Sequence, residues 1–251
     1  MKRFTLLTVL LTAALSCFGQ APDTLRVLAI GNSFTYVGDT PAKLKDLSAS
    51  EGHVMIVKSE TVGGFTFSRH LQRDKTLKAL ELPAPASHFD WVFLQNQSQL
   101  HARYGEAPRK FPYVLADAKE LAGRVRQYSP DARIVIESTW SYPAGNCGGF
   151  GSLERFDRLN DKGTLRLAKA CRAEVSYIGR AFARARAECP DIDLLDKDRK
   201  HQSEYGAYLK TCVNYLLIYG TPFSDHASAC GLDPQAAGRL RKVAERSVLG
   251  Q

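Results

Sequence analysis

Residues 25–35 have the sequence LRVLAIGNSFT. The first six of them are almost all aliphatic, which is typical of a strand buried on both faces of a parallel sheet. Gly31, Asn32 and Ser33 follow, and small polar residues of this kind end a strand and cap the helix after it. The stretch therefore predicts a strand, a tight turn and a helix, with Ser33 at the carboxyl end of the strand.

Four further short runs rich in Val, Ile, Leu and Phe follow along the chain. They predict strands over residues 54–58, 91–95, 133–137 and 192–195. Apolar residues at helical spacing predict long helices over residues 111–125, 168–182 and 205–219. Alternating strands and helices indicate an α/β fold, a three-layer α/β/α sandwich around a five-stranded, mostly parallel sheet. We expect the active site in the loops at the carboxyl ends of the strands.

A second polar cluster, Asp198-Arg199-Lys200-His201, follows the last predicted strand. An Asp three residues before a His can bend back within one turn and accept the imidazole Nδ1 proton, which leaves Nε2 to act as a base. The loops after the first and fifth strands would meet on one rim of the sheet. We therefore interpret Ser33 as a nucleophile, His201 as its base and Asp198 as the group that orients the base. Each motif alone is common, and a lone Ser33 is more often a helix cap.

The first 19 residues have the pattern of a secretory signal peptide. Lys2 and Arg3 precede an apolar run over residues 4–16, and small and polar residues follow. This run is shorter than the ~20 residues that a membrane-spanning helix needs. We expect an exported protein, periplasmic or secreted, in which residues 20–251 form one domain without a transmembrane segment. In an alternative interpretation Leu15-Ser16-Cys17 is a lipobox, and Cys17 becomes a lipidated N-terminus.

The composition is that of an ordinary globular protein, with 44% hydrophobic and 24% charged residues, and this excludes disordered and collagen-like classes. The chain has 34 Lys and Arg against 26 Asp and Glu, a formal charge of +8. Basic and acidic residues are interleaved, as over residues 153–188, so we expect no nucleic-acid partner. Nothing in the sequence indicates an oligomeric state.

Five cysteines remain after the predicted signal peptide: Cys147, Cys171, Cys189, Cys212 and Cys230. Export places them in an oxidising compartment, so we expect one or two disulfide bridges, with the other cysteines acting as small buried hydrophobic residues. No CxxC or Cys/His spacing of a zinc site occurs, and we expect neither a metal nor a cofactor.

Together the motifs resemble those of the SGNH (GDSL-like) hydrolases, and more closely those of a bacterial branch of that superfamily catalogued as a domain of unknown function. The matching blocks are Ile30 to Thr35, then Gly63, Gly64 and His70, then Leu94, Gln95 and Ser98, then Thr139 and Trp140, and finally Asp198, His201, Ser203, Gly206, Tyr208 and Leu209. They span residues 25–220 in one order, which is specific although each block alone is weak.

The resemblance implies a flavodoxin-like SGNH-hydrolase fold and ester hydrolysis by Ser33, Asp198 and His201. It implies that the backbone N–H groups of Ser33 and Gly64 bind the oxyanion. The superfamily normally adds an Asn from a Gly-x-Asn-Asp block, which this chain lacks. An amide of Gln95 or Gln97 can donate the same hydrogen bond, and we favour Gln95.

The resemblance also suggests carbohydrate esters as substrates, most of all O-acetyl groups on polysaccharides. Five residues at the predicted rim are candidates for contacting the substrate: Asn32, His70, His101, Trp140 and Tyr142. The glycine-rich segment 142–151 is predicted to be a flexible surface loop or a lid beside the site.

Two other functions are compatible with the sequence. A lipid or thioester acyl hydrolase would use the same triad with an apolar acyl channel, for which Phe65, Phe67 and Phe150 are available. A catalytically silent glycan-binding module would keep the fold without a nucleophile or base. The presence of Ser33 and of the Asp-x-x-His motif argues against such a module.

Overall fold

The structure, a computed structural model, describes residues 24–81 and 88–250. The predicted signal peptide and Cys17 lie outside the described residues. The strands within the described part are β1 (Leu25–Gly31), β2 (Met55–Thr61), β3 (Trp91–Leu94), β4 (Arg133–Glu137) and β5 (Glu174–Ser176). They form one sheet in the order β2-β1-β3-β4-β5, and every pair is parallel. The predicted α/β fold is confirmed.

The chain leaves β1 to form β2 on one side and later returns to form β3 on the other. The strand order therefore reverses at the carboxyl end of β1. In open parallel sheets such a reversal opens a crevice in which ligands bind. The residues that follow β1 begin with Asn32 and Ser33.

Helices cover both faces of the sheet. They are α1 (Ser33–Tyr36), α2 (Thr40–Ser50), α3 (Phe67–Leu71), α4 (Asp74–Leu80), α5 (Leu100–Glu106), α6 (Pro112–Tyr128), α7 (Ala144–Gly149), α8 (Leu153–Cys171), α9 (Ile178–Glu188), α10 (Glu204–Tyr219) and α11 (Pro234–Val248). Helices α2, α9, α10 and α11 pack together on one face, and α3, α4, α6 and α8 pack on the other.

The side chains of β1 alternate between two hydrophobic cores because successive residues of a strand point to opposite faces. Val27 belongs to the core beneath α2 and α10, whereas Leu28 and Ile30 belong to the core beneath α6. All three are buried. The aliphatic run that predicted this strand is therefore explained by burial on both faces.

The predicted helices over residues 111–125 and 205–219 are confirmed as α6 and α10. The predicted helix over residues 168–182 is wrong, because α8 ends at Cys171 and Arg172 takes a left-handed conformation with φ of 50°. The short strand β5 and the start of α9 occupy the rest of that range. A three-residue edge strand is too short to interrupt a helical apolar pattern visibly.

The predicted fifth strand over residues 192–195 is also wrong. Ile192 and Leu194 are buried, but the segment pairs with no strand of the sheet, and Leu195 makes only an isolated antiparallel bridge to Gln202. Two buried alternating residues in a loop imitate the pattern of a strand. Asp198 and His201 therefore follow α9 and a buried loop rather than a strand.

The five cysteines of the described residues are free thiols, so the predicted disulfide bridges are wrong. Cys171, Cys189 and Cys212 are buried among apolar side chains, as expected for small hydrophobic residues. None of the helices within the described ranges combines the length and the apolar character that a membrane crossing requires.

Candidate active site

Ser33 lies at the first position of α1, directly after β1. Asn32 caps this helix by accepting a hydrogen bond from the Phe34 N–H through its side-chain oxygen, at 3.1 Å. A Cβ on Gly31 would lie 2.4 Å from Thr35 Oγ1, so only glycine fits the turn between strand and helix. The turn leaves Ser33 partly exposed, whereas its neighbours Asn32 and Phe34 are buried.

The segment from Asp198 to His201 folds back on itself. The Asp198 carboxylate accepts hydrogen bonds from the backbone N–H groups of Lys200 and His201, at 3.0 and 2.9 Å. Arg199, between Asp198 and Lys200, is left-handed with φ of 56°. The Asp196 N–H donates to the His201 carbonyl at 2.8 Å and closes the loop. Asp198 and His201 are therefore held in one tight turn.

The structure brings Ser33, His201 and Asp198 into one hydrogen-bonded line. The Ser33 hydroxyl lies 2.8 Å from His201 Nε2, and His201 Nδ1 lies 2.5 Å from Asp198 Oδ2. The side chains of His201 and Asp198 are 25% and 48% exposed. In this arrangement the Nδ1–H donates to the carboxylate, and Nε2 can accept the hydroxyl proton of Ser33.

Asp198 is ionised at neutral pH. Burial raises the pKa of this carboxyl group, but hydrogen bonds from the His201 side chain and from the backbone N–H groups of His201 and Lys200 outweigh that effect and lower the pKa to about 2. A permanent negative charge on Asp198 would stabilise the imidazolium that forms when His201 takes a proton.

Two backbone N–H groups, those of Ser33 and Gly64, are the predicted donors to an oxyanion. Within the described residues, neither the Ser33 N–H nor the Gly64 N–H contacts a hydrogen-bond acceptor. Gly64 is exposed and left-handed, with φ of 69°. Asn32 ties its loop to the nucleophile turn, since Asn32 Nδ2 donates to the Phe65 carbonyl at 3.0 Å. Both groups are available to an oxyanion.

The two candidate amides have different surroundings. Gln95 is buried, its Oε1 accepts hydrogen bonds from the Asn32 N–H at 3.0 Å and the Thr35 hydroxyl at 3.2 Å, and its Nε2 donates to the Asn96 carbonyl. Gln97 is only partly buried, and its Nε2 makes a long contact of 3.4 Å with Ser98 Oγ. Gln95 thus supports the turn at Ser33 from within, and Gln97 has the more available donor.

His70 is fully buried against the end of β1, close to the turn that carries Ser33. Its Nε2 lies 2.9 Å from the Gly31 carbonyl and its Nδ1 lies 3.1 Å from Thr76 Oγ1. Burial, chiefly, lowers the pKa of His70. The neutral ring donates through Nε2 to Gly31 and accepts from Thr76, which ties the end of β1 to α3 and α4 rather than presenting the ring to a ligand.

Trp140 and Tyr142 also lie inside the protein. The Trp140 ring stacks on Phe34 with centroids 4.3 Å apart, and its Nε1–H donates to the Lys200 carbonyl at 3.1 Å. Tyr142 Oη lies 3.2 Å from both Ser98 Oγ and Gln99 Nε2. These buried aromatic residues support the segments that carry Ser33 and His201.

His101 and Asn32 complete the set of predicted substrate contacts, and both are buried. His101 Nδ1 lies 3.0 Å from Thr164 Oγ1 of α8, and burial lowers the pKa of His101 to about 4. Asn32 Oδ1 accepts a hydrogen bond from the Phe34 N–H, and Asn32 Nδ2 donates to the Phe65 and Asn96 carbonyls. The structure does not bring His101 to the triad, and it uses Asn32 to join three loops.

The segment 142–151 is packed against the protein at several points. Phe150 is buried, and the Arg103 guanidinium lies 5.3 Å from its ring centroid. Four successive residues, Gly145 to Gly148, have φ between 51° and 65° and form a left-handed turn. This segment is not the featureless surface loop that its glycine content predicts.

Three residues near the nucleophile were not singled out from the sequence: Glu137, Gln202 and Lys210. Gln202 follows His201 directly, and Glu137 and Lys210 form a buried ion pair of 2.7 Å. The sequence contains a signal for this pair. Glu137 ends the aliphatic strand RIVIE and Lys210 lies in the apolar stripe of α10, and two buried opposite charges are expected to pair.

Comparison with solved structures finds the same fold in a DUF4886 family protein and in proteins described as hydrolases, esterases or lipases. A DUF4886 family protein from Bacteroides uniformis has a TM-score of 0.76 and 21% identity, over 90% of this chain and 95% of that one. A candidate SGNH hydrolase from Slackia heliotrinireducens has a TM-score of 0.61 and 24% identity, over 78% of this chain and 100% of that one. An acetyl xylan esterase, AlAXEase, has a TM-score of 0.53 and 10% identity, over 77% and 98%.

A lipase from a goat rumen metagenome also matches the fold. No protein-family model matches the chain, and no curated protein matches its sequence. The chain has the fold that a solved DUF4886 family protein and a solved candidate SGNH hydrolase share, and this is the fold that the resemblance of its motifs implied.

Proposed function

We propose that this protein is a serine esterase that hydrolyses carboxylic esters. The observation that carries the proposal is the unbroken line of hydrogen bonds from Ser33 through His201 to Asp198, with distances of 2.8 and 2.5 Å. A hydroxyl, an imidazole and a carboxylate in this order are the parts that activate a serine nucleophile.

Each residue has a defined step in this reaction. His201 Nε2 takes the proton as Ser33 Oγ attacks the ester carbonyl, and the developing oxyanion accepts hydrogen bonds from the Ser33 and Gly64 N–H groups. His201 then returns the proton to the leaving alcohol. A water molecule, deprotonated by His201, attacks the acyl-enzyme and releases the carboxylic acid and the free Ser33 hydroxyl. Asp198 holds the imidazole tautomer throughout.

The substrates that we propose are O-acetyl groups on carbohydrates. The side chains of His201 and Asp198 are partly exposed, so a bulky or polymeric alcohol can approach the proposed nucleophile from the solvent. Tyr36, three residues after Ser33, is 45% exposed and offers an aromatic face on which a sugar ring can stack. An acetyl xylan esterase shares the fold.

A long-chain acyl substrate has less support. Such a chain needs an apolar channel, because it gains about 0.8 kcal/mol for each buried CH₂ group. Phe67 and Phe150, which were available for that channel, are buried within the hydrophobic cores, and Phe65 lies partly buried beneath the Arg69 guanidinium. These positions favour a short acyl group.

We also propose that the protein is exported, and this part of the proposal rests on the sequence of the first 19 residues. Intact mass measurement of the protein from a Gram-negative host tests it. A mature chain that begins near Gln20 supports export, and a lipid-modified Cys17 supports the lipoprotein alternative. A chain that keeps Met1 in the cytoplasmic fraction contradicts both.

Fluorophosphonate labelling followed by peptide mapping tests the proposed chemistry directly. The probe phosphonylates only an activated serine, so we expect one modified residue, Ser33, and no labelling after Ser33→Ala or His201→Ala. Labelling at another serine would contradict the assignment of Ser33 as the nucleophile. No labelling of the wild-type protein would contradict the esterase proposal and favour a glycan-binding module without catalysis.

A further inference from the structure

The backbone carbonyls of α1 depend on side chains from elsewhere in the chain. In this four-residue helix the Ser33 carbonyl accepts a hydrogen bond from the Val37 N–H, but among the described residues no backbone N–H donates to the Phe34 carbonyl. Lys210 Nζ donates to the Phe34 carbonyl at 3.0 Å. Gln202 Nε2 donates to the Val37 carbonyl at 2.7 Å and to the Ser33 carbonyl at 3.3 Å. We call Gln202 and Lys210 the carbonyl clamp.

The carbonyl clamp belongs to the same segment as the catalytic base. Gln202 follows His201 directly, and Lys210 lies in α10, which begins at Glu204. The turn that follows α1 lies close to α10, because a Cβ on Gly38 would lie 2.6 Å from the Ala207 Cβ. The segment that carries the imidazole therefore also holds the helix that carries the nucleophile.

The lysine of the clamp is buried with its counter-ion. Lys210 and Glu137 side chains are 1% and 2% exposed, and Glu137 also accepts a hydrogen bond from Asn214 Nδ2 at 2.8 Å. A buried ion pair stabilises a fold little more than apolar residues of the same size would. Stability alone therefore does not explain why this pair is present. A buried lysine that donates to the Phe34 carbonyl needs a counter-ion, and Glu137 supplies it.

We propose that the carbonyl clamp positions the nucleophile: Lys210 and Gln202 fix α1 against the His201 segment, so that Ser33 Oγ stays within hydrogen-bond distance of His201 Nε2. The two residues are positioning residues, since neither contacts the reacting atoms. This inference rests on the proposed esterase function.

Four variants separate positioning from stability. Lys210→Met removes the donor but leaves Glu137 as an unpaired buried charge. The double variant Lys210→Met, Glu137→Gln removes the donor without that charge, and Glu137→Gln alone keeps the donor. Gln202→Met removes the other half of the clamp and involves no charge. The readouts are kcat and KM for p-nitrophenyl acetate, the rate of fluorophosphonate labelling and the melting temperature.

We expect Lys210→Met to lower kcat and the labelling rate about 10 to 100-fold, because loss of the donor would displace Ser33 Oγ by up to about an ångström. KM should stay unchanged. The double variant should melt at a higher temperature than Lys210→Met and yet keep the same low kcat. Gln202→Met should also lose kcat, and Glu137→Gln should stay close to the wild-type kcat despite a lower melting temperature.

Ser176→Ala is the matched control. Ser176 Oγ donates to Asn214 Oδ1 at 2.7 Å, at the end of the same buried network that is remote from α1. We expect a lower melting temperature with unchanged kcat. If the double variant regained both wild-type kcat and stability, the positioning role would be wrong while the esterase proposal would stand. A loss of kcat in Ser176→Ala equal to that in Lys210→Met would have the same meaning. A wild-type protein that does not label at Ser33 would overturn the esterase proposal as well.

Discussion

Ser33 Oγ lies 2.8 Å from His201 Nε2, although 168 positions separate the two residues in the sequence. The contact exists because the end of β1 and the loop after α9 meet at one edge of the sheet. A second contact of 2.5 Å joins His201 to Asp198. Hydrolysis in this site should depend on all three side chains as a unit.

Ser33→Ala and His201→Ala should each lower ester hydrolysis by several orders of magnitude, because members of a triad act together. Asp198→Asn should have a milder effect, since the imidazole loses its orienting partner but not its ability to accept a proton. Turnover of p-nitrophenyl acetate measures the loss, and circular dichroism checks the fold. His226→Ala, at an exposed histidine, is the control that should keep full activity. Near-normal activity in His201→Ala together with its loss in His70→Ala would contradict the assignment of the base.

Gln97→Ala should lower kcat by roughly 100 to 1000-fold with little change in KM, the effect of removing one oxyanion donor. Gln95→Ala should instead lower the free energy of unfolding by about 1 to 3 kcal/mol, because the Asn32 N–H and the Thr35 hydroxyl lose their buried acceptor. Urea unfolding and steady-state kinetics on both variants measure the two effects. Full activity in Gln97→Ala would leave only the backbone donors of Ser33 and Gly64.

The acyl group should be short. We expect a higher kcat/KM for p-nitrophenyl acetate than for the octanoate, because Phe67 and Phe150 are buried in the cores and line no acyl channel. Acetylated oligosaccharides should release acetate. A kcat/KM that rises steadily from acetate through butyrate to octanoate would instead support a lipid acyl hydrolase.

Stability should fall at mildly acid pH because of His101. Burial lowers the pKa of His101 to about 4 in the folded protein, against about 6.5 in the unfolded chain. The unfolded state therefore binds more protons between these values, so the contribution is fully present above about pH 6.5 and is lost as the pH falls towards 4. Between pH 7 and 4.5 the free energy of unfolding should drop by about 2 to 3 kcal/mol from this residue.

Urea unfolding at the two pH values measures this change. His101→Gln should show a smaller drop than the wild-type protein, whereas His226→Gln, at an exposed position, should show the full drop. His70, whose pKa burial also lowers, should contribute in the same direction. An equal drop in His101→Gln and the wild-type protein would contradict the prediction.

The two wrong assignments of secondary structure share one physical cause. Local apolar spacing is ambiguous where an element is short or where a buried segment is irregular. The three residues of β5 continue the helical spacing of apolar residues on either side, and the buried loop residues Ile192 and Leu194 have the alternation of a strand. The long, regular elements β1, α6 and α10 were predicted because burial imposes a clear period on many successive residues.

The order of strands and helices along the sequence indicated the parallel α/β fold. The exposed turn at Ser33 and the Asp198–His201 pairing were determined locally, because each depends on residues within a few positions of one another. The tertiary structure decided which polar side chains face the solvent. His70, His101, Trp140 and Gln95 look like a substrate rim in the sequence, but packing of helices and loops against the sheet buries them. The pairing of Lys210 with Glu137 was likewise decided by packing, since it joins α10 to β4 across 73 positions of the chain. Burial and long-range pairing depend on how distant segments approach one another, and local spacing does not contain that information.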